Sequence, residues 1–214
     1  MQQLVETIKA EHPLDQHRFF QWIERCPIEQ FQASQQDFYH AVIHFGRPMM
    51  RLAARLDSYA ERWSVLENII EEHGSGELEH THGASFRTFL RSLSPSCEPF
   101  AAPSTVVSTF NQFLDQAVAK ESPAYALAVF AIIEDRFAEI SARIGRTVVA
   151  RGWVPSAQLQ HYDIHAELDI EHAQGFYQLL QSRWAEQSTD ISRGLYDGNE
   201  VFLGLYAGLE QCYA

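Results

Sequence analysis

The run AYALAVFAII at 124–133, continued through Glu134, Asp135 and Arg136 to Phe137, Ile140 and Ile144, limits the fold more than any other stretch. Its apolar residues fall on nearly every side of a helix, and such a helix survives in water only when other helices surround it. The rest of the chain supplies them. Helical periodicity is expected from about Ser34, where S-x-x-D resembles a capping box, through Phe38, Val42, Phe45 and Met49, with a bend at Gly46 and Pro48. Further helices are expected over 58–73, from about His80 to Leu93, over 105–120, from Ser156 to about Trp184, and from Thr189 onward through Leu195, Val201, Leu205 and Leu209. Residues 1–30 read as short helical pieces broken by Pro13 and Pro27. No β alternation, internal repeat or low-complexity tract is present. The expectation is an all-α chain: one domain over 1–214, a single bundle of about seven or eight helices.

A formal charge of −12 argues against nucleic acid or an anionic membrane surface as partner, since both require basic surface. No apolar run reaches the roughly 20 residues of a membrane span, and the N-terminus lacks a secretory h-region. Cys26, Cys97 and Cys212 are odd in number and form no CxxC, so they read as free thiols. A cytoplasmic protein is the expectation.

Chemistry concentrates at two places. Glu134 sits at the midpoint of the apolar helix and needs a partner. Arg136, about 200° round the helix, cannot supply one locally. An arginine elsewhere or a metal ion could. In 160–176, His165, Asp169 and His172 stand at i, i+4 and i+7, within roughly a 60° arc of one helical face. Ile164, Leu168 and Phe176 lie on or beside that stripe, so it is expected to face the core. Buried imidazoles and carboxylate need satisfaction, and this donor set suits non-haem iron or manganese better than structural zinc. An exposed amphipathic helix is the competing reading. Glu71, Glu72, His80 and His82 flank Gly74-Ser75-Gly76, either as converging donors or as a solvated connector. His40 and His44 read as packed or half-exposed histidines, and His161, one turn before His165, as a pocket or surface residue.

In order, these pieces are N-I-I-E-E-H-G at 68–74, H-x-x-x-F-x-x-F-L at 82–90, the lone Glu134, and H-x-x-x-D-x-x-H at 165–172. The pattern resembles the haem-oxygenase-like di-iron oxidase and oxygenase superfamily, and the likeness spans residues 60–185. It implies a haem-oxygenase-like bundle with two irons per chain, held by Glu72, His82, Glu134, His165, Asp169 and His172. Glu71 and His80 are the alternative registers. O2 is implied as co-substrate, with an external electron donor and a small organic substrate such as an amine, amino acid or fatty acid. A homodimer is compatible with it.

Two departures from relatives are visible. The helix before the first motif has no acid between Tyr39 and Leu56, where the N-oxygenase branch adds a carboxylate. Ile133 and Asp135 flank Glu134, where para-aminobenzoate synthases carry a sacrificial tyrosine. The alternatives are a metal-free member of the same fold (a thiaminase-II-like hydrolase or pyrroloquinoline-quinone-synthase-like oxidase) and a non-enzymatic interaction protein.

Overall fold

A computed structural model describes residues 1–214. Eight α-helices form it: α1 (Gln2–Glu11), α2 (Arg18–Ile23), α3 (Ile28–Ala53), α4 (Tyr59–Glu72), α5 (His82–Leu93), α6 (Thr105–Lys120), α7 (Pro123–Ala150) and α8 (Gln160–Tyr213). There is no strand, and no helix is long and apolar enough to cross a membrane.

Helix α7 is the centre. Every residue from Ala124 to Glu134 is buried, because α8 runs along one side of it while α3 and α6 close the other. Pro123 opens α7, where its missing N–H costs nothing, and the Ser122 hydroxyl caps it by accepting from the Tyr125 amide. The two halves of α8 divide the work. A break at Gln187 (φ −126°, ψ 20°) separates a first half that faces the site from a second half laid tightly against α7. The sequence expects two helices with a gap at 185–188; one residue suffices for the bend.

Other boundaries differ for local reasons. Helix α3 begins at Ile28, straight after Pro27, and Ser34 lies buried in its interior. There its hydroxyl donates to the Phe31 carbonyl instead of capping. The helix also runs through Pro48. A capping box does form one helix later, where Ser58 and Glu61 exchange hydrogen bonds across the first turn of α4. Ile164, expected at the core, is 51% exposed, because it sits about 100° from His165 on the outer side of α8.

The connection from α4 to α5 sets the site. Gly74, Ser75 and Gly76 all have positive φ (65°, 54° and 96°). They reverse the chain within one turn. A Cβ on Gly74 would lie 2.7 Å from the His80 carbonyl carbon and the Thr81 nitrogen, so only glycine permits the fold-back. Thr81 then caps α5 through the Ala84 amide, which starts the new helix at His82 rather than His80.

Candidate metal centre

Four helices bring six side chains together in the core. Helix α4 ends on Glu72, α5 begins on His82, α7 contributes Glu134, and the first half of α8 contributes His165, Asp169 and His172. His82 Nδ1 lies 2.9 Å from Glu72 Oε1. His165 Nδ1 lies 3.0 Å from both Asp169 oxygens. Possible ligand atoms of Glu134, Asp169 and His172 all lie within 4.8 Å of one another. The His82 and His165 rings are adjacent, with centroids 4.3 Å apart. His80 stays outside: it is exposed and pairs with Glu77 at 3.0 Å.

The electrostatics are those of a crowded, dry site. Burial raises the Asp169 carboxyl well above the ordinary carboxylate range, and the nearby Glu134 charge pushes the same way. Burial also opposes charge on Glu72, but the His82 imidazole outweighs it and holds this carboxyl low. Correspondingly, His82 is raised against its own burial by Glu72. Burial, helped by the neighbouring His82, presses His165 down to about 3. His172 is pulled the other way: burial resists its charge, yet Glu134 and Glu71 carry it up to about 10.

No lysine or arginine lies within ion-pair distance of Glu72, Glu134 or Asp169. The arginine partner that sequence reasoning allowed for Glu134 is therefore not there. Asn68 is: its amide donates to Glu134 Oε1 at 3.1 Å. Two ring nitrogens, His165 Nε2 and His172 Nδ1, are buried without any partner. Buried acids whose only possible counter-charges are imidazoles, with the orphaned Nδ1 of His172 facing two of them, describe a site that a divalent ion would satisfy. The spacing agrees. Metal–donor bonds of roughly 2.1 Å at right angles place neighbouring donors about 3 Å apart, close to the Glu72–His82 and His165–Asp169 separations.

Three contributors escaped the sequence reading. Asn68 sits one turn before Glu72 on the buried face of α4, a polar residue among Val65 and Ile69, and that placement was the available signal. Glu71, considered only as an alternative to Glu72, instead lies 2.5 Å from His172 Nε2. Ser85, one turn after His82, meets the buried His161 at 2.9 Å. By contrast His40 bonds the Phe100 carbonyl and His44 faces Asp115, both away from the centre.

Beside the six residues lies a small cavity of about 40 Å³, walled by Phe38, Val42, Phe45, Ile133, Phe137 and Phe202 and floored by Glu72, His82, Glu134 and His165. Its wall has no cysteine, serine or threonine. Cys26 and Cys97 are buried elsewhere and Cys212 is exposed.

The family model described as "iron-containing redox enzyme" matches residues 33–211. The chain belongs to that family. It is 27% identical over 195 residues to the 4-aminobenzoate synthase of Chlamydia pneumoniae, covering 87% of this chain and 84% of that protein. Solved structures share the fold. A CADD-like protein of unknown function from Nostoc punctiforme superposes with a TM-score of 0.78 at 18% identity, over 99% of this chain and 97% of that one. A domain of unknown function with a haem-oxygenase-like fold from Shewanella denitrificans gives 0.76 at 13%, over 99% and 90%. A TenA homologue from P. horikoshii gives 0.69 at 13%, over 98% and 94%. The haem-oxygenase-like architecture is thus the fold of this chain.

Proposed function

We propose that this family member is a non-haem di-iron oxidase or oxygenase that uses O2 to oxidise a small organic substrate, drawing electrons from an external donor. The observation that supports it most is the meeting of three carboxylates and three imidazoles in an apolar core with no lysine or arginine beside them. Glu72, His82, Glu134, His165, Asp169 and His172 would hold the metal. Two irons bound there would supply the reducing equivalents for O2 and the oxidising equivalents for substrate.

The protein's own residues do the rest. Asn68 fixes the rotamer of Glu134, and Glu71 engages Nε2 of His172, so that Nδ1 faces Glu134 and Asp169 at 3.9 and 3.8 Å. The phenylalanine wall excludes water, which protects a reactive oxidant from quenching and selects an apolar group as the part of the substrate that enters. A thiol-dependent hydrolase on this fold is disfavoured by the absence of any cysteine from the cavity wall.

Anaerobic loading with ferrous iron tests this. About two irons per chain, with an optical change on admitting O2, is the expected result. Wild-type protein that retains no iron after loading would sink the proposal.

A further inference from the structure

The buried cavity and a surface groove share two residues. The groove, of about 470 Å³, lies between α3, the end of α4 and α5, and Val42 and Glu72 belong to both its wall and the cavity's. Those two side chains are thus common to the solvent-facing groove and the buried cavity. At its outer part the groove carries Arg47 and Arg87. Neither has a carboxylate partner, whereas seven other arginines of the chain each hold one. Of the arginines without an acid, Arg55, Arg62 and Arg151 bond backbone carbonyls instead, so in a chain of net charge −12 Arg47 and Arg87 stand with Arg25 and Arg146 as those whose terminal nitrogens hold no protein acceptor. Arg87 is also held in place: its Nε donates to the Tyr39 hydroxyl at 3.1 Å and its guanidinium lies over the Tyr39 ring at 5.2 Å. That leaves its terminal N–H groups free for a ligand.

Beside the arginines the groove has a small and apolar part, with His73 and Thr81 among its polar members. Gly46 and Gly83 line it without side chains, and Ile43 and Met50 are exposed along it. The groove thus brings two guanidiniums, small and apolar residues, and a candidate metal-ligand carboxylate onto one surface.

We infer that this groove is the substrate entrance, and that the substrate is an organic anion whose head, a carboxylate or similar group, binds Arg47 and Arg87 while its apolar body passes Val42 toward Glu72. The inference rests on the oxidase reading and adds the class of molecule to it. Arg47 follows Val42 by five residues on α3, about 7.5 Å of helix rise. A phenyl group or a medium-length alkyl chain spans that gap. The head then stays outside the metal centre, and the end remote from it is presented for oxidation.

Matched probes that share a body and differ only in head group test this: octanoate, octanol and octylamine, and the phenylpropyl acid, alcohol and amine. Each is titrated calorimetrically into the full chain loaded with manganese(II), which does not turn over. The acid of at least one set is expected to bind about tenfold or more tighter than its alcohol, and the amine no better than the alcohol. The double variant Arg47→Ala/Arg87→Ala should lose that preference while keeping wild-type metal content and alcohol affinity. Val42→Trp should weaken acid and alcohol together. Equal binding of acid and alcohol, no binding by either acid, or an acid preference that persists in the double variant overturns the inference; persistence would mean that the head binds the metal directly. A protein that takes up no metal removes the oxidase reading and this inference with it. One that loads metal but shows no head-group preference removes this inference alone.

Discussion

At the scale of single residues, hydrogen-bond direction decides which imidazole nitrogens remain for a metal. Ser85 donates its hydroxyl proton to the His82 carbonyl at 3.0 Å, so it accepts from His161 Nδ1 at 2.9 Å. His161 therefore carries its proton on Nδ1, and its Nε2 is a bare, buried acceptor beside the orphaned Nε2 of His165, with ring centroids 4.4 Å apart. Were His165 Nδ1 to hold a metal, its proton would sit on Nε2, and the neighbouring His161 ring offers the nearest imidazole nitrogen that could turn to accept it. His161→Phe is expected to weaken ferrous binding about tenfold, while His161→Gln, which keeps an acceptor, should retain most of it. Competition with a chromogenic chelator measures both, and equal affinities for the two variants would assign His161 a packing role. The titrating residues predict a pH profile for the metal-free protein. His165, held down to about 3, is unprotonated in the folded chain between that pH and its usual 6.5, where the unfolded chain binds a proton, so stability falls as pH drops through this window. His172, raised to about 10, adds stability that is complete below 6.5 and fades as pH climbs to 10. Melting curves across pH should peak between these limbs. His172→Gln should flatten the alkaline limb and leave the acidic one.

At the scale of elements, the site depends on two close approaches. One is the α4–α5 reversal at Gly74. Gly74→Ala forces a Cβ into the His80–Thr81 peptide in a positive-φ conformation, which is expected to cost about 1–3 kcal/mol and to separate Glu72 from His82. Reduced metal content with the helical signal preserved is the outcome to look for. The other is the crossing of α7 and the second half of α8. Gly194 there faces the Tyr125 carbonyl oxygen with no room for a methyl, and a Cβ on Gly198 would meet Ile132 at 2.7 Å. Gly198→Ala should lower the melting temperature by the equivalent of about 1–3 kcal/mol without changing the six candidate ligands. The sequence shows some of this clearly and some not at all. The surrounded helix α7 is legible because an all-round apolar pattern has one physical solution. The His165–Asp169–His172 stripe is legible because seven residues fix a face. Ser85 is not legible, since a hydroxyl on a helix carries no signal until the opposite wall is known, and Asn68 is legible only as a polar residue on the apolar face of α4, without its partner. The start of α3 was missed because an S-x-x-D motif and a preceding proline compete as helix starts, and Pro27 wins by setting an extended N-cap conformation.

At the scale of the whole molecule, the centre is a charge problem placed in the middle of a hydrophobic core. Glu134 and Asp169 are buried among four helices and Glu72 is nearly so, and apart from the Asn68 amide on Glu134 the side chains they face are imidazoles. Without metal, Asp169 works against folding: burial raises its carboxyl well above the ordinary range, so its charged form is disfavoured there. An ion that binds the folded chain alone reverses this, and the gain grows with occupancy, about 2.7 kcal/mol at a hundredfold excess over the dissociation constant. Metal binding and bundle stability should therefore be one property measured two ways. Adding manganese(II) or ferrous iron anaerobically is expected to raise the wild-type melting temperature by several degrees, roughly 2–4 °C per kcal/mol for a chain of this size. His172→Ala, which removes one donor, should show a smaller rise and a lower metal stoichiometry. Asp169→Asn removes a donor and also relieves the buried charge, so it should melt above wild type in the metal-free state and below it in the metal-loaded state. That crossing separates a metal centre from a structural polar network. If both buried groups served packing alone, Asp169→Asn would stay on the same side of wild type whether or not metal was present.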